Sequence, residues 1–163
     1  MKVLIATDPF ASQSNIPLKL LNKYKFIITK ASERNIPKNV ENFDAVIAGV
    51  YKFDKEVLKK FKNLKIISRV GIGYDSIDLD YIRSKNIKLT ITPNFHGDTV
   101  AELILSLILS KVRKIFQFNQ NVKKKLWTRV ISKNLKDYQI GIIGIGRVSK
   151  SLLRILKPFS LKT

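Results

Sequence analysis

The sequence contains no cysteine. That excludes a disulfide framework, a cysteine metal site and a thiol nucleophile. Histidine occurs once, at His96, and tryptophan once, at Trp127. Long apolar runs are also missing. The N-terminal run is Val3 to Ala6, closed by Thr7 and Asp8, too short for the apolar region of a signal peptide. The longest run, Val100 to Leu109, contains Glu102 and Ser106 and is about half of the ~18 residues that a membrane span needs. A soluble, cytoplasmic protein with no membrane partner is expected.

Negative charge is scarce. Twelve acidic residues face 31 basic ones, for a net charge of +19, and 24 of the basic residues are Lys. Such a balance invites a nucleic-acid reading. The pattern argues against it. Lysines are spread along the whole chain, and the one dense run, Lys123 to Lys125, has no interleaved aromatic residues for base stacking. A solvated, lysine-rich surface is the simpler account. Hydrophobic residues at 45% and charged residues at 26% place the chain among globular proteins, and 163 residues suffice for a core.

Short β-rich runs alternate with helical patterns. Strands are predicted at Lys2–Ala6, Phe26–Thr29, Ala45–Gly49, Lys65–Arg69 and Ile87–Thr92. Helices are predicted at Leu18–Tyr24, Lys55–Phe61 and Asp78–Asn86, with Asp78 as N-cap of the last. Continuous apolar strands separated by helices predict a parallel sheet covered on both faces. After Pro93 the pattern changes. One long helix is predicted from Thr99 to about Lys124, apolar nearly all round between Val100 and Leu109, and therefore buried on several sides. A boundary is placed here, giving regions 1–98 and 99–163. A looser stretch, Leu126 to Tyr138, leads into a last strand at Gln139–Ile143.

That strand runs into "GIIGIGRVSK". Gly144 allows a tight turn, and Gly146 lets backbone approach a pyrophosphate. The following helix N-terminus offers free N–H groups to the anion. The third glycine of G-x-G-x-x-G is replaced by Ser149, whose side chain is expected to push helix and strand slightly apart. An acidic ribose partner belongs about 20 residues on, and no Asp or Glu follows Gly146. As it stands this is half a dinucleotide site.

A second stretch carries more. "RVGIGYDSID" (Arg69 to Asp78), Thr92-Pro93, "VAEL" (Val100 to Leu103), Trp127 and the glycine segment stand in order. Together they resemble the D-isomer-specific 2-hydroxyacid dehydrogenases, the family of phosphoglycerate dehydrogenase. The resemblance implies an α/β protein. A flavodoxin-like parallel-sheet substrate domain would be followed by the start of a Rossmann NAD-binding domain. It implies NAD as cofactor, with NADP open, and a small 2-hydroxy or 2-oxo acid as substrate. A homodimer through the helix 99–124 is implied as well. The substrate carboxylate would sit on backbone N–H groups of Val70, Gly71, Ile72 and Gly73, where glycines open an anion cradle. Cofactor contacts fall to Ile72, Gly144, Gly146, Arg147 and Val148.

Departures are present. Ser76 stands where the family usually has Asn, and "NFHGD" (Asn94 to Asp98) differs from the usual small-residue loop. The family's catalytic Arg, Glu and His would lie beyond Thr163, so no catalytic residue is assigned, and His96 does not match the catalytic histidine. The chain is expected to be the front half of an enzyme about twice its length and inactive alone. The alternative is a non-catalytic binding module of the same descent.

Overall fold

The computed structural model describes residues 1–93 and 97–161. His96 and its neighbours Asn94 and Phe95 lie outside the described residues. The chain forms two compact units, Met1–Pro93 and Asn94–Thr163.

The first unit is a five-stranded parallel sheet of order β2-β1-β3-β4-β5. The strands are β1 (Lys2–Ala6), β2 (Ile27–Ala31), β3 (Ala45–Ala48), β4 (Ile66–Arg69) and β5 (Lys88–Thr90). This is the flavodoxin-like order of a doubly wound fold. Successive side chains of a strand face opposite sides. Leu4 and Ala6 therefore enter one cluster with Val46, Ala48 and Ile67, while Val3 and Ile5 are buried on the other face. Central strands lose both faces to packing. The edge strands β2 and β5 carry no fully buried residue.

Three helices connect the strands: α1 (Ile16–Lys23), α2 (Lys55–Leu58) and α3 (Leu79–Ser84). The Asp54 carboxylate accepts the Val57 N–H at 3.0 Å, and the Asp78 carboxylate accepts the Tyr81 N–H at 2.9 Å. Each cap satisfies one orphan donor and starts its helix one residue later. Leu58, Phe61 and Ile82 bring the inner faces of α2, its exit and α3 onto the sheet with Phe53. Burying each such side chain contributes about 1.5–3 kcal/mol.

The second unit contains α4 (Gly97–Val112), α5 (Ile115–Lys123) and α6 (Arg147–Leu156). The single helix expected to Lys124 is thus two. Arg113 N–H still reaches the Leu109 carbonyl, but Lys114 turns left-handed at φ 55° and its N–H drops back to Lys111. No Gly or Pro marks the break. Ala101, Ile104, Leu105, Ile108, Leu109 and Val112 of α4 pack with Leu152, Ile155 and Leu156 of α6. This i, i+3, i+4, i+7 face is covered, whereas Val100, Leu103 and Leu107 remain exposed. Within its unit, then, α4 is buried on one side and open on the other, not enclosed all round.

A clamp joins the two helices. Arg154 Nη2 donates to Asp98 Oδ1 at 2.7 Å. The Ser151 hydroxyl, then Arg154, hold the Asp98 carboxyl below its ordinary value. No helix among the described residues is long and apolar enough to cross a membrane.

The strand expected at Gln139–Ile143 does not form. Ile140 and Ile142 pack on the α4–α6 cluster, while Ile143 is fully exposed. The alternation of a strand is present. A parallel strand, however, is defined by ladder bonds to a neighbour, and no described strand lies beside this segment.

Candidate functional site

Two backbone sites are built, one in each unit. The first follows β4 at the carboxyl end of the sheet, where open α/β sheets bind ligands. Val70 N–H donates to the Ala48 carbonyl at 2.9 Å, the last bond of the β3–β4 register. The chain then turns at Gly71, with φ at +141°, a conformation L side chains avoid. Gly71 N–H is shared between Thr92 Oγ1 at 2.8 Å and the Arg69 carbonyl at 3.0 Å. Thr92 N–H returns a bond to the Gly71 carbonyl at 3.0 Å.

The far end of the loop is also fixed. Phe53 N–H donates to the Ser76 carbonyl at 2.7 Å, and Asp78 N–H to the Phe53 carbonyl at 3.0 Å. Ser76 therefore holds the loop through its main chain. Phe53 is fully buried, so this anchor is set in the core.

Between these anchors, Ile72 and Gly73 N–H have no acceptor among the described residues. Both residues are exposed. Of the four residues proposed from sequence to form the cradle, Val70 and Gly71 have their donors committed to protein, and Ile72 and Gly73 have theirs available. Two adjacent amides suit the two oxygens of a carboxylate. Charge-assisted bonds of that kind are roughly twice as strong as neutral ones.

Arg69 was not assigned a role from sequence. Its guanidinium folds over Gly71 and Nη1 donates to the Val70 carbonyl, while Nε is buried without a hydrogen-bond partner among the described residues. A Cβ on Gly71 would lie 2.9–3.3 Å from that guanidinium. Nothing in residue spacing announces this fold-back, which depends on the turn at Gly71.

The second site is the turn into α6. Gly144 has φ +89° and Gly146 is the N-cap. Arg147 and Val148 open the helix, and the first intrahelical bond runs from Lys150 N–H to the Gly146 carbonyl at 3.0 Å. Val148 and Ser149 N–H have no acceptor among the described residues. Among the described residues, a Cβ on Gly144 or Gly146 would meet nothing within 4 Å, so backbone here is open to a ligand. With the partial positive charge of a helix N-terminus, this turn fits a pyrophosphate.

Ser149 corrects the expected crowding. Its Oγ donates to the Gly144 carbonyl at 2.7 Å. The side chain closes across the glycine turn and tethers it, where it was expected to wedge helix from strand.

Comparison with known proteins bears on both sites. Residues 4–141 match the family model for the catalytic domain of D-isomer specific 2-hydroxyacid dehydrogenases. The chain belongs to that family. A D-3-phosphoglycerate dehydrogenase of Methanocaldococcus jannaschii is 27% identical over 99% of this chain and 31% of its own length. A human glyoxylate reductase/hydroxypyruvate reductase is 36% identical over 67% of this chain and 35% of its own length. Among solved structures, an NAD+-bound 3-phosphoglycerate dehydrogenase of Entamoeba histolytica superposes with a TM-score of 0.78 at 28% identity, over 99% of this chain and 52% of its own. A D-lactate dehydrogenase of Aquifex aeolicus shares the fold, with a TM-score of 0.83 at 24% identity. The chain spans about a third of the length of these family members and about half of the superposed chains.

Proposed function

We propose that this chain supplies the carboxylate-binding and dinucleotide-phosphate-binding parts of an oxidoreductase that interconverts a D-2-hydroxy acid and its 2-oxo acid. The observation that carries the proposal is the pair of amides, Ile72 and Gly73, at the carboxyl end of β4, neither with an acceptor among the described residues. They sit in a loop fixed on both sides by main-chain bonds. The substrate carboxylate is held there, which orients C2 without a charged side chain. The turn Gly144–Gly146 and the α6 amides of Val148 and Ser149 take the pyrophosphate of NAD or NADP, with Arg147 beside them. When bound, the dinucleotide supplies the two-electron acceptor for the C2–H bond.

On this reading Met1–Pro93 serves the substrate and the part from α4 onward serves the cofactor and pairing of two copies. The exposed faces of Val100, Leu103 and Leu107 on α4, with Phe116, Val122 and Trp127 beyond it, are the surface for that pairing. On the family resemblance the acid–base Arg, Glu and His are not among these residues, and no turnover is expected from these 163 residues by themselves.

Amide-resolved NMR of the isotopically labelled chain tests this. Oxalate is expected to move the signals of Ile72 and Gly73, and NAD those of Val148 and Ser149, with no reduced nicotinamide formed from D-lactate, D-glycerate or 3-phosphoglycerate. Shifts elsewhere with these four amides unmoved would overturn the assignment, and turnover would overturn the claim of inactivity. The alternative, a non-catalytic binding module of the same descent that has given up these sites, predicts that neither ligand moves these amides.

A further inference from the structure

We propose that Thr92 is a positioning residue for the carboxylate cradle, because its hydroxyl and its backbone N–H clamp the peptide planes on both sides of Gly71. The inference rests on the carboxylate reading of the Ile72–Gly73 amides and adds a residue that never touches the ligand.

Thr92 lies two residues beyond β5, the strand that pairs with β4 through Ser68 and Thr90. The ladder ends there, because Gly71 turns out of the strand with φ +141°. Two backbone groups of Gly71 must then find partners away from the register. The N–H, which belongs to the Val70–Gly71 peptide, goes to Thr92 Oγ1 at 2.8 Å. The carbonyl, which belongs to the Gly71–Ile72 peptide, takes Thr92 N–H at 3.0 Å.

The second bond has a geometric consequence. All peptide bonds described here are trans. In a trans peptide the C=O and the following N–H point in opposite directions. Holding the Gly71 carbonyl toward Thr92 therefore aims the Ile72 N–H away from Thr92 and so leaves it off the β5 side of the loop. The first bond fixes the preceding plane, so both dihedrals of Gly71 are set by one residue. A glycine at positive φ has no side chain to restrict it. Without the hydroxyl, its N–H keeps only the short-range bond to the Arg69 carbonyl, and the loop can rotate or turn this third donor on the ligand.

The hydroxyl is the part a substitution can remove. Thr92→Val keeps shape and deletes the acceptor; Thr92→Ser keeps the acceptor and loses a methyl. The full chain is titrated with oxalate while the Ile72 and Gly73 amides are followed, and hydrogen exchange at Gly71 is measured in parallel. Oxalate affinity is expected to fall roughly 5- to 10-fold in Thr92→Val, as for one lost hydrogen bond. It stays within about twofold of the parent in Thr92→Ser. Exchange at Gly71 is expected to be slow in the parent and in Thr92→Ser, and faster in Thr92→Val. Parent-like affinity in Thr92→Val, or lost affinity in Thr92→Ser, overturns the proposal. So does fast exchange at Gly71 in the unsubstituted chain, a result that holds even if Thr92→Val fails to fold. A parent chain whose Ile72 and Gly73 signals ignore oxalate overturns the carboxylate reading instead, and the exchange rates then decide the clamp alone.

Discussion

Replacing Gly71 by alanine, with Gly73→Ala as its partner experiment, separates backbone strain from mere crowding in the cradle. The two glycines are two residues apart in one loop. Gly71 has φ +141°, and an added Cβ would stand 2.9 Å from Arg69 Nη1 and 3.1 Å from Cζ. Gly73 has no such φ, and its Cβ would make an ordinary 3.4 Å contact with Asp75 Oδ2. Forcing a side chain into a sparsely populated backbone region costs roughly 1–3 kcal/mol. Alanine also stiffens the unfolded chain, which offsets about 0.4–1 kcal/mol at either position. The net expectation is a loss of about 1–2 kcal/mol for Gly71→Ala and a change within about 0.5 kcal/mol, or a small gain, for Gly73→Ala. For a unit of this size each kcal/mol moves the midpoint by about 4–8 °C. The guanidinium is the end of a flexible side chain and can swing away, so most of the cost is assigned to φ. The gap should then persist in an Arg69→Ala background. Trp127 is 98% exposed and lies in the other unit, so its fluorescence does not follow this transition. Amide signals of β1 and β3 during thermal or urea unfolding do. Equal midpoints for the two glycine variants would refute the strain argument, and a gap that vanishes with Arg69→Ala would transfer the cost to the contact.

Two further outcomes are expected. Asp98 has its carboxyl lowered in the folded chain, by the Ser151 hydroxyl first and Arg154 second. A depressed pKa contributes stability that is present above the ordinary value of 3.8 and lost as pH falls through the lower folded value. Asp98→Asn should therefore unfold earlier than the parent near neutral pH, with the difference closing in strong acid; a pH-independent difference would show that the charge is not responsible. Ser149→Ala removes the tether to the Gly144 carbonyl while keeping helix propensity. Exchange of the Lys150 N–H, which donates to the Gly146 carbonyl beside the turn, should accelerate about 5- to 10-fold, as expected for roughly one hydrogen bond, and an unchanged rate would mean that the turn holds itself.

What the sequence determined by itself was the part governed by local pattern. β1 reads Lys2–Ala6 from its apolar run and is found there, because a central parallel strand buries both faces and leaves nothing polar to interrupt it. Asp78 announced the start of α3 because capping needs only a carboxylate and an N–H three residues on. The glycines of both turns were legible for the same reason: positive φ at Gly71 and Gly144 is a property of one residue. Tertiary structure decided the rest. The break at Lys114 has no local breaker and depends on how α5 leaves the α4–α6 cluster. The segment Gln139–Ile143 has the composition of a strand, but a strand exists only where a neighbouring chain completes its ladder. The bond from Gly71 N–H to Thr92, 21 residues away, was decided there too, since that hydroxyl reaches Gly71 only because β5 lies beside β4. Ser149 read as a misfit glycine position until its hydroxyl was seen on the Gly144 carbonyl. Spacing along the chain shows which residue types can bind. Only the folded backbone shows which of their donors and acceptors are already taken.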